Sequence, residues 1–94
     1  MIIRSTSGDE AEVVDADNLR ELHVEVGEGE TLGALGEIEG THAWLDIATL
    51  RRLAAPSASS SAWPEEFDGM IAYATAKGWV DEDRAAVRAH MVLR

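Results

Sequence analysis

The chain has no cysteine, a single lysine and no apolar run long enough to cross a membrane. The absence of cysteine excludes disulfide bonds, thiolate metal sites and cysteine nucleophiles. A membrane-spanning helix needs ~20 consecutive apolar residues, so we expect no span. The stretch from Met1 to Arg4 contains no long apolar segment, so we also expect no signal peptide and assign the protein to the cytoplasm.

Motifs that mark common catalytic and cofactor sites are also missing. The glycine-rich segment 27–36 has neither the GxGxxG pattern nor the lysine of a P-loop, and its interleaved glutamates oppose a phosphate. None of the serines stands in a GxSxG elbow. The three histidines, His23, His42 and His90, show no zinc spacing such as HExxH. We therefore expect no metal and no cofactor, and the sequence favours a protein that is not an enzyme without deciding the question.

The chain has more acidic than basic residues, and all of this excess lies in its first half. Residues 1–50 contain twelve acids and two bases, whereas residues 51–94 contain six of each, which gives a net charge of −10. An acidic surface repels the phosphates of nucleic acids and anionic lipids. The charge therefore argues against nucleic acid and membrane as partners.

The first half of the chain has the patterns of β-strands. At 94 residues and 46% hydrophobic content, the chain predicts one globular domain spanning residues 1–94. Its strand-rich acidic half covers residues 1–45, where apolar and polar side chains alternate along 21–26. We predict a hairpin of 11–16 with 19–26, and a further strand over 42–45.

The half from residue 46 to 94 has the start and stop signals of helices. Asp46 is placed to cap a helix that ends before Pro56, and a second helix over 64–77 is followed by Gly78. A third helix is predicted over 82–93, capped by Asp81. The fold class is therefore α+β, with a small antiparallel sheet of three to four strands followed by three helices packed on one face.

The predicted helices 64–77 and 82–93 also have the layout of a helix-turn-helix DNA-binding module. The first turn of the second helix would then face the DNA, and it contains Asp81, Glu82 and Asp83. These carboxylates would repel the phosphates on which DNA affinity depends. We keep this module as a third, disfavoured alternative.

Two groups of side chains are candidate sites. His42, Trp44 and Asp46 share one face of the predicted strand and, with Tyr73 on the second helix, indicate a pocket between sheet and helices suited to acid–base chemistry or ligand stacking. Alternatively, Trp44 is a core residue and Asp46 is only a helix cap. The second group is Glu21, His23 and Glu25, an acidic face that complements a basic protein surface or, alternatively, forms a solvated stripe.

The tryptophans around the second predicted helix add one observation. Trp63 and Trp79 bracket this helix, and we expect both to pack against its ends. A tryptophan left on the surface would instead anchor an interface.

The function predicted first is a small interaction or accessory domain that binds a protein partner or self-associates, without catalysis. The alternative is a small-molecule-binding domain or an enzyme with a pocket between sheet and helices. The sequence leaves open which ligand or partner is bound, the oligomeric state, and whether Trp44 is core or pocket wall.

Overall fold

Seven strands form one curled mixed sheet in the computed structural model, which describes residues 1–6, 8 and 10–94. The strands are β1 (Ile2–Ser5), β2 (Ala11–Val14), β3 (His23–Val26), β4 (Gly36–Glu39), β5 (His42–Asp46), β6 (Val80–Asp81) and β7 (Ala86–Leu93). Their order is β2-β1-β3-β7-β5-β4, with β6 paired to the start of β7. The β1–β3 and β3–β7 pairs are parallel and the other pairs are antiparallel.

Two α-helices lie between β5 and β6 along the chain, α1 (Ile47–Ala54) and α2 (Trp63–Ala76). Short 3-10 turns occupy Gly33–Leu35 and Ala55–Ser57. Both α-helices confirm sequence predictions, including the cap at Asp46, whose carboxylate accepts from the Thr49 N–H at 2.9 Å. Neither helix in the described part of the chain has the length and apolar content that a membrane span requires.

The predicted fold class is wrong, because the sheet is larger and mixed and the third predicted helix is a strand. Asp81 does accept hydrogen bonds from the N–H groups of Asp83 and Arg84, at 3.1 and 3.3 Å, as a helix cap would. The turn that follows ends at Ala85 in the left-handed region, with φ of 50°, and this reverses the chain into β7. The helix-turn-helix layout is wrong for the same reason, since residues 86–93 are extended.

The predicted hairpin of 11–16 with 19–26 is also wrong, because β1 lies between β2 and β3. Ile3 in β1 is fully buried, and it obtains neighbours on both sides from this central position. Residues 15–22 carry the chain from one side of β1 to the other, so β3 runs parallel to β1. The Met1 amino group holds this loop by donating to the carbonyls of Asn18 and Glu21, at 2.5 and 2.7 Å.

One hydrophobic core joins a face of the sheet to both helices. Its largest fully buried side chains from the sheet and the α-helices include Ile3, Val24, Val26, Leu45, Leu50, Phe67 and Val87. The core therefore forms a single domain with α and β content, and the opposite face of the sheet carries more polar side chains such as Arg4, Glu25 and Arg88.

Candidate functional site

The strand β7 changes its neighbour part-way along one edge. Its first residues, Ala86 and Val87, pair with β6, and its later residues pair with β3 from His90 onward. Because β6 runs antiparallel to β7 and β3 runs parallel, both strands begin near the same place and diverge from it. We call this place, at Arg88 and Ala89, the junction. Where two strands of a sheet diverge in this way, a gap remains between them. The loops that lead into the two strands line this gap.

A cavity of about 630 Å³ opens at the junction. Its apolar wall comes from the loop before β3, from α2, from the residue before β6 and from β7, through Leu19, Leu22, Met70, Trp79, Val87 and Ala89. Successive residues of a strand point to opposite faces, so Val87 and Ala89 border the cavity from the core face of β7. Arg88 and His90 border it from the other face.

Two aromatic residues, Tyr73 and Trp79, form a pair in the lining of this cavity. Tyr73 is 58% exposed and Trp79 is 37% exposed, and their rings meet edge to face at 5.9 Å. Gly78, with φ of +79°, ends α2 in the left-handed conformation that glycine favours and turns the chain back. The backbone of Trp79 is then fixed on both sides, since its N–H donates to the Ala74 carbonyl at 2.9 Å and its carbonyl accepts from the Arg88 N–H at 2.7 Å.

The three histidines lie in one row across β3, β7 and β5. The register pairs His90 with His23 on one side and with His42 on the other. The rings of His42 and His90 lie 6.0 Å apart, edge to face, and both residues line the cavity. The sequence gives no sign of this row, because it depends on cross-strand register. Among the described residues, no group of histidines and acids is arranged to hold a metal ion.

His23 itself is engaged by Glu25, with Nε2 and Oε2 3.2 Å apart. Arg4 binds the other oxygen of the same carboxylate at 3.0 Å. These hydrogen bonds, the one with His23 first, hold the pKa of Glu25 below its usual value. Glu21 lies before β3, is exposed, and does not share the strand with His23 and Glu25. The structure therefore places Glu21 in a loop, and His23 and Glu25 in a partly exposed hydrogen-bonded cluster with Arg4.

Among the described residues that line the cavity, four are basic and none is an aspartate or a glutamate. The basic residues are Arg20, Arg88, His42 and His90, in a chain whose net charge is −10. Neither arginine forms an ion pair with an acid in the described ranges. The cavity is therefore a local reversal of the protein's overall charge.

The predicted pocket residues are divided between two places. His42 and Tyr73 line the junction cavity, whereas Trp44 and Asp46 border a shallower depression of about 220 Å³. Trp44 is half-buried on the face opposite the core, with the Arg84 guanidinium 5.3 Å from its ring. Hydrogen bonds from Thr49, its hydroxyl first and then its backbone N–H, lower the pKa of Asp46.

Sequence reasoning missed the two arginines of the cavity, which only the fold brings to the junction. The sequence did offer one useful indication. A tryptophan left on the surface was expected to mark an interface, and Trp79 is partly exposed.

Comparisons of this chain with models of protein families, with curated proteins and with solved structures return no match.

Proposed function

We propose that this domain binds a small organic molecule in the junction cavity. The observation that carries the proposal is the cavity itself, whose volume is about 630 Å³ and whose lining is mostly apolar with a few polar groups. Small-molecule sites have this composition and typically occupy ~300–1,000 Å³. His42 and Tyr73, predicted from the sequence as binding residues, both contribute to it.

Hydrogen bonds within the protein hold the walls of the cavity in place. The Trp79 backbone is hydrogen-bonded to both α2 and β7. The loop that carries Leu22 is held by the Met1 amino group at Asn18 and Glu21. A ligand therefore meets a largely ordered site, and binding costs little conformational entropy.

The exposed aromatic pair supplies a reason for a ligand to bind. Tyr73 and Trp79 present apolar ring surface to water, and covering such surface stabilises a complex by ~25 cal/mol per Å². Their mutual edge-to-face contact keeps both rings in position. A flat apolar molecule would gain contact with both rings and with the Met70 side chain.

Phenylnaphthylamine, a neutral dye that fluoresces more strongly outside water, tests this proposal. We expect saturable binding with one dye per chain, weakened about tenfold by Trp79→Ala, because a large part of the wall is removed. Leu53→Ala is the matched control, since Leu53 is 39% exposed, close to the 37% of Trp79, and lies outside the cavity. Absence of saturable binding, or equal loss in both variants, would contradict the proposal.

The predicted interaction with a basic protein remains a second candidate, favoured by the strand at one end of the sheet. β4 pairs with β5 on one side only in the described strand order, and its Glu37, Ile38 and Glu39 are exposed. An edge of this kind can accept an added strand, and its acids would select a basic one.

A peptide of alternating lysine and valine tests this second candidate. We expect it to shift the backbone amide NMR signals of β4, whereas a peptide of alternating glutamate and valine should leave them unchanged. Shifts from both peptides, or from neither, would argue against a basic partner at this edge.

A further inference from the structure

We infer that the ligand of the junction cavity is an organic anion with a flat apolar body and one acidic group, of which a carboxylate is the simplest. This inference rests on the proposed function and names the class of molecule that the site selects. It is carried by the charges of the lining and by the partners of the arginines.

In the part of the chain that the structure describes, the lining contains four basic residues and no aspartate or glutamate. The chain as a whole has 18 acids against 8 lysines and arginines. The described lining therefore contains fewer acids than the composition of the chain would give on average. An anion approaching this protein is repelled by most of its surface and attracted at the cavity. The reversed charge therefore favours anions at this site over the rest of the molecule.

The partners of the seven arginines sharpen the contrast. Four of them, Arg4, Arg51, Arg84 and Arg94, each form an ion pair with a glutamate or an aspartate. Arg20, Arg52 and Arg88 form none with the residues that the structure describes. Arg52, on α1, donates to the Thr49 hydroxyl at 3.4 Å, and of these three arginines only Arg20 and Arg88 line the cavity. A guanidinium offers five N–H donors in a planar fork that matches a carboxylate. The two cavity arginines therefore keep this binding capacity for a ligand.

Acids that are close to these groups in the sequence or in strand register have other partners or lie outside the cavity lining. Glu25 is bound by Arg4 and His23, as described above. Glu39 lies opposite His42 in the β4–β5 register and is exposed, and Glu21 next to Arg20 is exposed as well. Neither of these two glutamates lines the cavity.

The basic and apolar parts of the cavity lie on different sides of β7. Arg88 and His90 are two residues apart on one face, about 7 Å from each other along the strand, and His42 is the neighbour of His90. Val87 and Ala89 face the other way, toward the core side. An amphipathic anion that lies across the open edge of β7 at the junction, between its pairing with β6 and its pairing with β3, would place its acidic group beside Arg88 and its apolar body against α2.

Two dyes with the same aromatic body separate this inference from the proposed function. Anilinonaphthalene sulfonate carries a negative charge that phenylnaphthylamine lacks. We expect the sulfonate dye to bind more tightly than the neutral dye, and Arg88→Gln to weaken only the sulfonate dye, by about three- to tenfold. Arg84→Gln is the matched control, because it removes the same charge from an exposed arginine outside the cavity. It should change either affinity by less than about twofold.

The outcomes are distinct. If the neutral dye binds in a manner sensitive to Trp79→Ala but the sulfonate dye has no advantage, the domain binds small molecules and the inference about anions is wrong. Equal effects of Arg88→Gln and Arg84→Gln on the sulfonate dye would also overturn it, since they would reflect net charge alone. If neither dye binds, both the inference and the proposed function fail.

Discussion

The two ends of α2 carry a tryptophan each, and the two are used in opposite ways. Trp63 at the first turn is 2% exposed, its ring packs on Phe67 at 5.1 Å, and its indole N–H donates to the Ala16 carbonyl at 2.8 Å. Trp79, past the last turn, is 37% exposed and borders a cavity. The sequence predicts packing for both, and only Trp63 is enclosed in the core.

The same loop, residues 15–22, reaches both ends of the helix. Near Trp63 it closes tightly, because Asp17 accepts hydrogen bonds from the backbone N–H groups of Ser59 and Ser60 and from the Ser59 hydroxyl. Near Trp79, where β3 and β6 diverge, Leu19 and Leu22 leave space instead. The two ends therefore differ in packing: the loop encloses Trp63, whereas the diverging strands at the junction leave Trp79 beside a cavity.

The largest test of this comparison is truncation of the two tryptophans. We expect Trp63→Ala to lower the free energy of unfolding by about 3–5 kcal/mol, because it leaves a cavity in the core and an unpaired carbonyl. Trp79→Ala should lower it by about 1 kcal/mol, since the ring is partly solvated. Urea denaturation of both variants measures the difference. Equal losses would mean that the two ends are packed alike.

A smaller effect is expected from two glycines of the same region. Gly78 has φ of +79°, so Gly78→Ala should destabilise by about 1–2 kcal/mol. Gly69 lies inside α2, so Gly69→Ala should stabilise by about 0.5–1 kcal/mol. A Cβ atom added at either position meets nothing within 4 Å, which makes the pair a test of backbone conformation alone. Thermal melts measure both changes. If the two variants shift the melting temperature in the same direction, the left-handed conformation of Gly78 at the end of α2 is contradicted.

The smallest expected effect is the pH dependence of stability that Asp17 causes near the Trp63 end of α2. The Ser59 hydroxyl, followed by the Ser59 backbone N–H, lowers the pKa of Asp17 from its ordinary value of 3.8. The contribution of Asp17 to stability is therefore fully present above that value and is lost as the pH falls through the lower pKa of the folded state.

Asp17→Asn should accordingly melt at a lower temperature than the natural chain at neutral pH, and the two should converge in strong acid. A carboxyl NMR titration measures the pKa directly, and Ser59→Ala should raise it toward the ordinary value. A constant difference in melting temperature at every pH would show that Asp17 does not act through its charge.

Features that local chemistry controls could be predicted from the sequence. Asp46 caps α1, a proline opens α2 and Gly78 adopts the left-handed conformation, as their local patterns indicate. His42 and Trp44 also share a strand face, as alternation requires. Each of these predictions depends only on neighbours within a few residues.

Features that depend on distant pairing could not be predicted. In residues 82–93, apolar side chains fit both a helical and a strand period, and Asp81 accepts the same backbone N–H groups in a hairpin turn as in a helix cap. Burial of Val87 and Ala89 in the core, where both pair with β5, decides for the strand. The meeting of Arg20 with Arg88 at one cavity follows from the order β3-β7-β5, which no local pattern encodes.

The most direct test of the central claim is the NMR spectrum of the indole N–H groups during a phenylnaphthylamine titration. Single Trp→Phe variants assign the three signals. If one end of α2 is closed and the other binds a ligand, the Trp79 signal shifts saturably while the hydrogen-bonded Trp63 signal stays in place. A Trp79 signal that does not move, or a Trp63 signal that moves as much, would contradict the account.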